Sequence, residues 1–378
     1  MGQGSELLGR SSDDALVDMM RLCMIPGVGP RTRKALLERF GTAKAVLQAA
    51  PSELREVHGV GPKLVQSILS ADQQCDVEAE IVLCQQHGIE ILTESNPAYP
   101  RVLREIHDPP GVLFVRGTLS SVDDLAIGIV GTRHATQYGL RQAERLAGGL
   151  ARAGFTIVSG LARGIDAAAH RGALTAGGRT LAVLASGVMS IYPPEHDKLA
   201  EEVAARGALI SESPPHAAPL SGTFPQRNRI ISGLSLGVIV VEAAERSGAL
   251  ITARHAMEQG REVFAVPGNV DSRASTGCHQ LIRDGAKLVE SVDDVLEELG
   301  PLVAASPRED GQTIHHPAEL LLNEVEQFVL QTIGTEATPI DHIVAESKLP
   351  VPQVLSTLSV LEMRRLVRRL SGTTVIRL

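Results

Sequence analysis

The chain is 378 residues long and 43% apolar, which leaves room for two or three cored domains of roughly 100 to 200 residues each. Every apolar run stops short of the roughly 20 residues a membrane span needs, the N-terminus lacks a charged-then-apolar signal pattern, and the four cysteines (Cys23, Cys75, Cys84, Cys278) form no C-x-x-C pair; this points to a soluble protein of a reducing cytoplasm without structural zinc. A net charge of −8, no Trp, three Tyr and six Phe exclude a uniformly basic nucleic-acid binder and a long platform of stacked bases, so any such contact has to be a local patch of phosphate and backbone contacts.

Residues 16 to 70 read as helices punctuated twice by one phrase, Ile25-Pro-Gly27-Val-Gly29-Pro and Val57-His-Gly59-Val-Gly61-Pro, an internal repeat of 32 residues. Two glycines around an apolar residue permit a tight turn, and they expose backbone N–H groups at the start of the next helix, where a phosphate can sit. The pattern resembles the helix-hairpin-helix (SAM-like) motif of sequence-independent DNA binders. Arg31, Arg33 and Lys34 follow the first hairpin, whereas only Lys63 follows the second, so the first is expected to make the DNA contact. A helical scaffold that keeps the turn without the contact is the alternative. This segment, 1–95, is taken as one domain.

From Leu125 onward short β-branched runs end in small-residue turns and alternate with helical stretches, which implies a parallel sheet. Strands are expected at 125–130, 155–158, 180–184, 208–211, 237–241, 262–266 and 286–289, with helices such as Tyr138 to Arg152, Leu199 to Arg206 and Thr252 to Gln259 between them. Right-handed crossovers make 96–305 a doubly wound, mostly parallel Rossmann-like α/β core. Residues 306–317 have linker composition, and 318–378 read as three helices (325–333, 340–346, 351–366) and a hairpin with a Ser-Gly turn, a winged-helix pattern. Arg364, Arg365, Arg368 and Arg369 are its candidates for duplex contact, although such modules also dock proteins.

Ligands of an open parallel sheet gather beyond the carboxyl ends of its strands. The turns there share one chemistry: Gly131-Thr132-Arg133, Ser159-Gly160 with Arg163, and Ser247-Gly248 combine small residues with cations, and Phe224 through Arg227, Asn228 and Arg229 opens a helix. Small residues admit an anion to the backbone, helix N-termini favour it, and arginines grip it bidentately. Phe224 offers one face for a base; the other reading makes it a core residue, and Arg229 a structural partner of Glu212 or Glu242. No G-x-x-x-x-G-K-[ST] occurs and Gly128-Ile-Val-Gly131 is not G-x-G-x-x-G, so no nucleotide cofactor is expected. Ser159, Asp166, His170, Glu212 and Glu242 show no catalytic spacing; Asp166 and Glu242 read as helix caps or as holders of the arginines.

The ordered set Tyr99-Pro100, Asp108-Pro109-Pro110, Arg116-Gly117, Gly131-Thr-Arg133, Ser159-Gly-Leu-Ala-x-Gly164-Ile-Asp166-x-x-Ala-His170, Tyr192-Pro193, Phe224-Pro-x-Arg227-Asn-Arg-Ile-Ile-Ser232-Gly, Ser247-Gly-x-Leu-Ile-Thr252, Val263-Phe-Ala-Val-Pro-Gly268 and Leu281-Ile-x-Asp-Gly285-Ala closely resembles the DNA-processing A (DprA/Smf) family, over about 190 residues. The resemblance implies a non-enzyme that binds single-stranded DNA without sequence preference, forms a homodimer through the Rossmann-like core, and helps load a RecA-type recombinase onto the strand during natural transformation. It places the DNA pocket at Arg133 and the segment from Phe224 to Arg229, with no cofactor and no metal, and leaves the terminal domains free to contact duplex DNA or protein. Two rivals remain at this stage. A nucleotide phosphoribohydrolase would need an acid on the helix after the glycine-rich loop, where Ala253 and Arg254 stand. A pure protein-interaction scaffold would suit the acidic net charge.

Overall fold

The computed structural model describes residues 3–299, 306–307, 313–314, 322, 324–334, 337–363, 366–371 and 374–377. Its contacts divide the chain into two units, 1–151 with 155–289, and 152–154 with 290–378.

The first unit is organised by a nine-stranded sheet. In chain order its strands are β1 (Ile89–Thr93), β2 (Val112–Gly117), β3 (Ala126–Val130), β4 (Thr156–Ser159), β5 (Thr180–Val183), β6 (Ala208–Ser211), β7 (Gly237–Val240), β8 (Glu262–Ala265) and β9 (Lys287–Leu288). Strands β3 to β7 are buried along their whole length, as a parallel sheet covered on both faces demands. All seven expected strands are present. The spatial order is β1-β2-β6-β5-β4-β3-β7-β8-β9, and the pairs from β6 to β9 are parallel. From β3 the chain winds one way through β4, β5 and β6, then returns to β7 on the other side. The switch point therefore lies between β3 and β7, and a crevice opens beyond their carboxyl ends.

Two strands were not expected. β2 pairs antiparallel with β6, and β1 pairs antiparallel with β2. β1 falls inside the first 95 residues, so the stretch read as helical supplies the outermost strand of the core sheet. The physical signal was present in Val112-Leu-Phe-Val115, a buried apolar run of strand length, and in the half-buried alternation of Ile89-Glu-Ile-Leu92.

The repeated phrase folds as two hairpins. Gly27 and Gly59 take φ of +95° and +86°, and the turns close identically, Val28 N donating to Ile25 O and Val60 N to Val57 O. Helices Pro30–Phe40 and Pro62–Leu69 follow, each with proline in its first turn, and share a core of Leu22, Ile25, Leu36, Val46, Val65 and Ile68. The first hairpin does not offer its cations to solvent as expected. Arg33 is buried, its Nη1 donating to Glu212 Oε1 at 3.3 Å and its Nη2 to the carbonyl of Pro109. Lys34 donates to the carbonyl of His107 at 2.7 Å, and only Arg31 stays exposed. The helix after the first turn is thus the one that docks on the sheet, and docking consumes the charges that a phosphate would have needed.

The second unit carries helices Glu324–Gln331, Ile340–Ser347 and Val351–Met363, then strands Val367–Ser371 and Thr374–Arg377, the latter also pairing with Thr338–Pro339. That is a winged helix around Val329, Ile343, Val354, Leu358, Leu361, Val367 and Val375. Val351–Met363 contains no basic residue. Arg364 and Arg365 lie outside the described residues. Arg368 is exposed on the wing strand, while Arg369 pairs with Glu362 at 3.3 Å and donates to Ser359 Oγ. Among the described residues no helix is long and apolar enough to cross a membrane, and all four cysteines are free.

Because Arg33 is buried against a carboxylate and a carbonyl, Arg33→Ala leaves Glu212 to Arg229 alone and takes the Arg33 donor from Pro109 O. Urea unfolding should show a loss of about 3 kcal/mol, the scale for breaking one side of a buried pair. A loss below about 1 kcal/mol, the range of surface pairs, would mean the helical segment is not held there.

Candidate functional site

The crevice at the switch point holds a cavity of about 370 Å³. Its walls come from the loops after β3 and β7 and from helices Ile165–Thr175, Thr223–Gly233 and Gly248–Glu258. Gly131 lets the first loop pack closely, since a Cβ there would stand 2.5 Å from Ile165 and 2.9 Å from the Glu242 carbonyl. Thr132 N donates to that same carbonyl at 2.7 Å. The Glu242 carboxylate accepts from Thr136 N at 2.9 Å and Thr136 Oγ1 at 2.6 Å, so it pins the turn that leads into helix Gln137–Arg152. Its role is structural, as the sequence reading had it.

Arg133 stands exposed at the rim of this cavity. Its guanidinium lies over the Phe224 ring, 4.8 Å from the centroid, and Tyr192 packs edge-on with Phe224 at 5.9 Å between ring centroids. A cation on one ring and an exposed ring beside it form a compact surface that attracts both a phosphate and a base. Tyr192 was not among the expected site residues. The signal was its membership in Tyr192-Pro193, one of the ordered phrases, but nothing in the sequence brings it next to Phe224. A small hollow beside the pair is bounded by Arg133, Arg163, Ser186, Tyr192 and Phe224.

Several expected contacts are spent elsewhere. Arg227 sits in helix Thr223–Gly233 but is buried, and donates to the carbonyls of Gly160 (2.7 Å) and Val183. Burial lowers it to about 10 despite the nearby Asp166 carboxylate. Burial likewise raises Asp166, with Arg227 opposing. Arg229 is also buried, paired with Glu212 at 2.6 Å and with Asp108 at 3.5 Å, so it holds the fold together and does not face the crevice. Of the structural partners weighed for it, Glu212 is the one found. Ser159 is fully buried with Oγ donating to Ile129 O at 2.6 Å. Arg163 is exposed but pairs with Glu195 at 2.5 Å. Gly160 packs against the Arg227 guanidinium.

The remaining residues do converge. Thr132, Arg133, Phe224, Asn228, Ser247 and Gly248 all line the cavity. Asn228 Nδ2 donates to Gly248 O at 3.2 Å, joining two walls. Ser247 caps helix Gly248–Glu258, its Oγ accepting from Ala249 N, and Gly248 is exposed with open space around it.

Comparison with known proteins gives the same arrangement a lineage. The family model described as DNA recombination-mediator protein A matches residues 90–300, more than half of the chain. The chain belongs to that family. A SAM-like helix-hairpin-helix tandem model matches residues 19–71 and a DprA winged helix domain model residues 315–373. Protein Smf of Synechocystis is 37% identical over 92% of this chain and 95% of its own, and the DNA processing protein DprA of Bacillus subtilis 48% identical over 57% and 73%. Among solved structures, DprA of Streptococcus pneumoniae matches with TM-score 0.65 at 36% identity, covering 75% of this chain and 97% of that one. DprA of Helicobacter pylori, described for its single-stranded DNA binding mode, matches with TM-score 0.50 at 31% identity, covering 56% and 95%.

On helix Ile165–Thr175, which also carries the cavity-lining Asp166, this family member buries a histidine, His170. Thr180 Oγ1 donates to Ile157 O and so accepts from His170 Nδ1, both at 2.7 Å, which fixes the neutral tautomer with its proton on Nδ1. Nε2 has no partner among the described residues. Burial, with His196 and Arg227 adding like charge, pushes His170 down to about 3. Between about 6.5, the unfolded value, and that value only the unfolded chain takes the proton, so stability is full above the window and falls as pH drops through it, by up to about 1.4 kcal/mol per pH unit. Urea unfolding at pH 7, 6 and 5 should show this slope in the wild type and a flatter one in His170→Gln. Parallel slopes would remove His170 as its source.

Proposed function

We propose that this chain binds single-stranded DNA without sequence preference at the switch-point crevice, and that it does so as an accessory protein, not as an enzyme. The observation that carries the reading is Arg133 over Phe224 at the mouth of a 370 Å³ cavity. The recognition elements there are a cation, two aromatic faces and small residues, which take a phosphate and any base; none of them selects a base edge. A flexible single strand can follow such a narrow crevice, whereas a duplex presents its phosphates on a rigid helix. The binding-only reading is supported by the state of the groups a hydrolase would use: the Ser159 hydroxyl is committed to Ile129 O and the Glu242 carboxylate to Thr136. The helix after Ser247-Gly248 has Ala253 and Arg254 where a phosphoribohydrolase would need its acid. Family resemblance extends the reading to protection of incoming strands and loading of a RecA-type recombinase during natural transformation, in the cytoplasm.

A homodimer through the α/β core belongs to the same proposal. β9 stands last in the sheet order among the described residues, and Leu288 on it is 40% exposed. An exposed apolar side chain on the last strand of a sheet offers a pairing surface. Two crevices on one strand make the second contact intramolecular, which raises avidity by about 10² to 10⁴ without new contacts.

Arg133→Ala should weaken binding of oligo(dT) about tenfold, the worth of one charge-assisted hydrogen bond, and should lower the log-log salt slope by about 0.7. Unchanged affinity and slope in the folded variant would remove the crevice as the binding site. Leu288→Glu should sediment as a monomer where the wild type sediments as a dimer, and should bind a long strand far more weakly than the wild type. A wild type that is monomeric at micromolar concentration would end the dimer reading.

A further inference from the structure

The switch point is formed by two loops, and each carries one arginine that makes no hydrogen bond or ion pair among the described residues. Arg133 follows β3 and Arg246 follows β7. The other arginines around the crevice are committed: Arg227 to carbonyls, Arg229 to Glu212 and Asp108, Arg163 to Glu195. Arg246 is exposed and lines the large cavity, directly before Ser247 and Gly248. In the sequence it directly follows Glu245 and lies four residues past Glu242. In the structure the Glu242 carboxylate is buried on Thr136, and Glu245 is not part of the cavity wall.

The two free arginines differ in position. Arg133 borders both the large cavity and the small hollow with Tyr192 and Phe224, whereas Arg246 borders the large cavity alone. A strand whose base stacks at the aromatic pair therefore meets Arg133 first, then the cavity, then Arg246. The cavity's 370 Å³ falls within the roughly 300 to 1,000 Å³ of small-ligand pockets, enough for a nucleotide unit. Among the described residues that line it Asp166 is the only carboxylate, set against Arg133, Arg227 and Arg246, so the lining favours an anion.

On the reading that this crevice binds single-stranded DNA, we propose that Arg246 holds the phosphate next along the strand from the one held by Arg133, so that the cavity takes one nucleotide unit between two cationic walls. Two arginines on separate phosphates contribute independently. Two on a shared phosphate are coupled, and the second loss then costs little.

The test is fluorescence anisotropy of the full chain with oligo(dT) over a salt series, comparing wild type, Arg133→Ala, Arg246→Gln, the double variant and Arg254→Gln. Arg254 is exposed on the helix that follows Arg246 but does not line the cavity. Arg246→Gln is expected to weaken binding about tenfold and to lower the slope by about 0.7, the double variant to multiply the two losses and lower the slope by about 1.4, and Arg254→Gln to change neither. An Arg246→Gln protein that binds like wild type while Arg133→Ala does not would overturn the Arg246 assignment and leave the crevice reading standing. A double variant no weaker than the single ones would overturn the two-phosphate arrangement, and an Arg254→Gln loss as large as that of Arg246→Gln would overturn the local contact. Wild-type protein that does not bind oligo(dT) would bring down the parent reading and this inference with it.

Discussion

Arg227 is fully buried, yet its charge is held at the carboxyl ends of β4 and β5 by the carbonyls of Gly160 and Val183, with the Asp166 carboxylate nearby. A guanidinium in such a place is costly to desolvate, and that cost is offset only if every part of its geometry is satisfied. The requirement reaches outward. Gly160 has to be glycine, since a Cβ would lie 2.5 Å from the guanidinium. Helix Thr223–Gly233 cannot shift along its axis without breaking these bonds, and the same helix carries Phe224 at its start and Asn228 directly after Arg227. Arg227 is thus the anchor that sets the aromatic face under Arg133, although its own side chain has little left to give a ligand.

The same helix is gripped from its other side. Glu212, following β6, takes Arg229 from the helix and Arg33 from the N-terminal hairpin. One carboxylate therefore joins the sheet, the crevice helix and the helical segment. Around it, Asp108 adds to Arg229, and Glu94 reaches Arg33 at 4.0 Å. Burial raises Glu94 while Arg33 opposes the shift, as expected of an acid at the edge of a cation-bearing cluster. Loss of Arg33 would leave Glu212 to Arg229 alone, so the helical segment and the crevice share one electrostatic support.

The fold was legible because parallel strands need apolar runs on both faces, and seven such runs stood between small-residue turns. β1 and β2 were harder to see: they pair antiparallel at the sheet edge and come from a stretch whose helical neighbours dominate the pattern. The crevice was legible as a set of loops, because ligand binding beyond strand ends follows from topology. The fate of each arginine was not. Arg133, Arg227 and Arg229 look alike in sequence, and only three-dimensional packing decides which one finds carbonyls, which one a carboxylate and which one solvent. Arg227 and Arg229 lie two apart on a helix that is buried on most sides, so neither could point freely outward. Arg33 shows the same limit, since the hairpin motif is visible in the repeat but the surface it docks on is not.

An acidic chain with the anion-binding crevice proposed above is not a contradiction once distance is counted. At roughly 0.1 M ionic strength exposed charges more than about 10 Å apart are largely screened, so the net charge of −8 acts weakly at the crevice, where Arg133 and Arg246 act directly. Some of the acids also face an arginine at close range: Glu195 with Arg163, Glu201 with Arg116, Asp123 with Arg179, Glu56 with Arg39. On the reading proposed above, a net negative charge disfavours indiscriminate coating by nucleic acid and leaves affinity to a few contacts, so that pairing two crevices in a dimer would matter more here than it would for a basic protein.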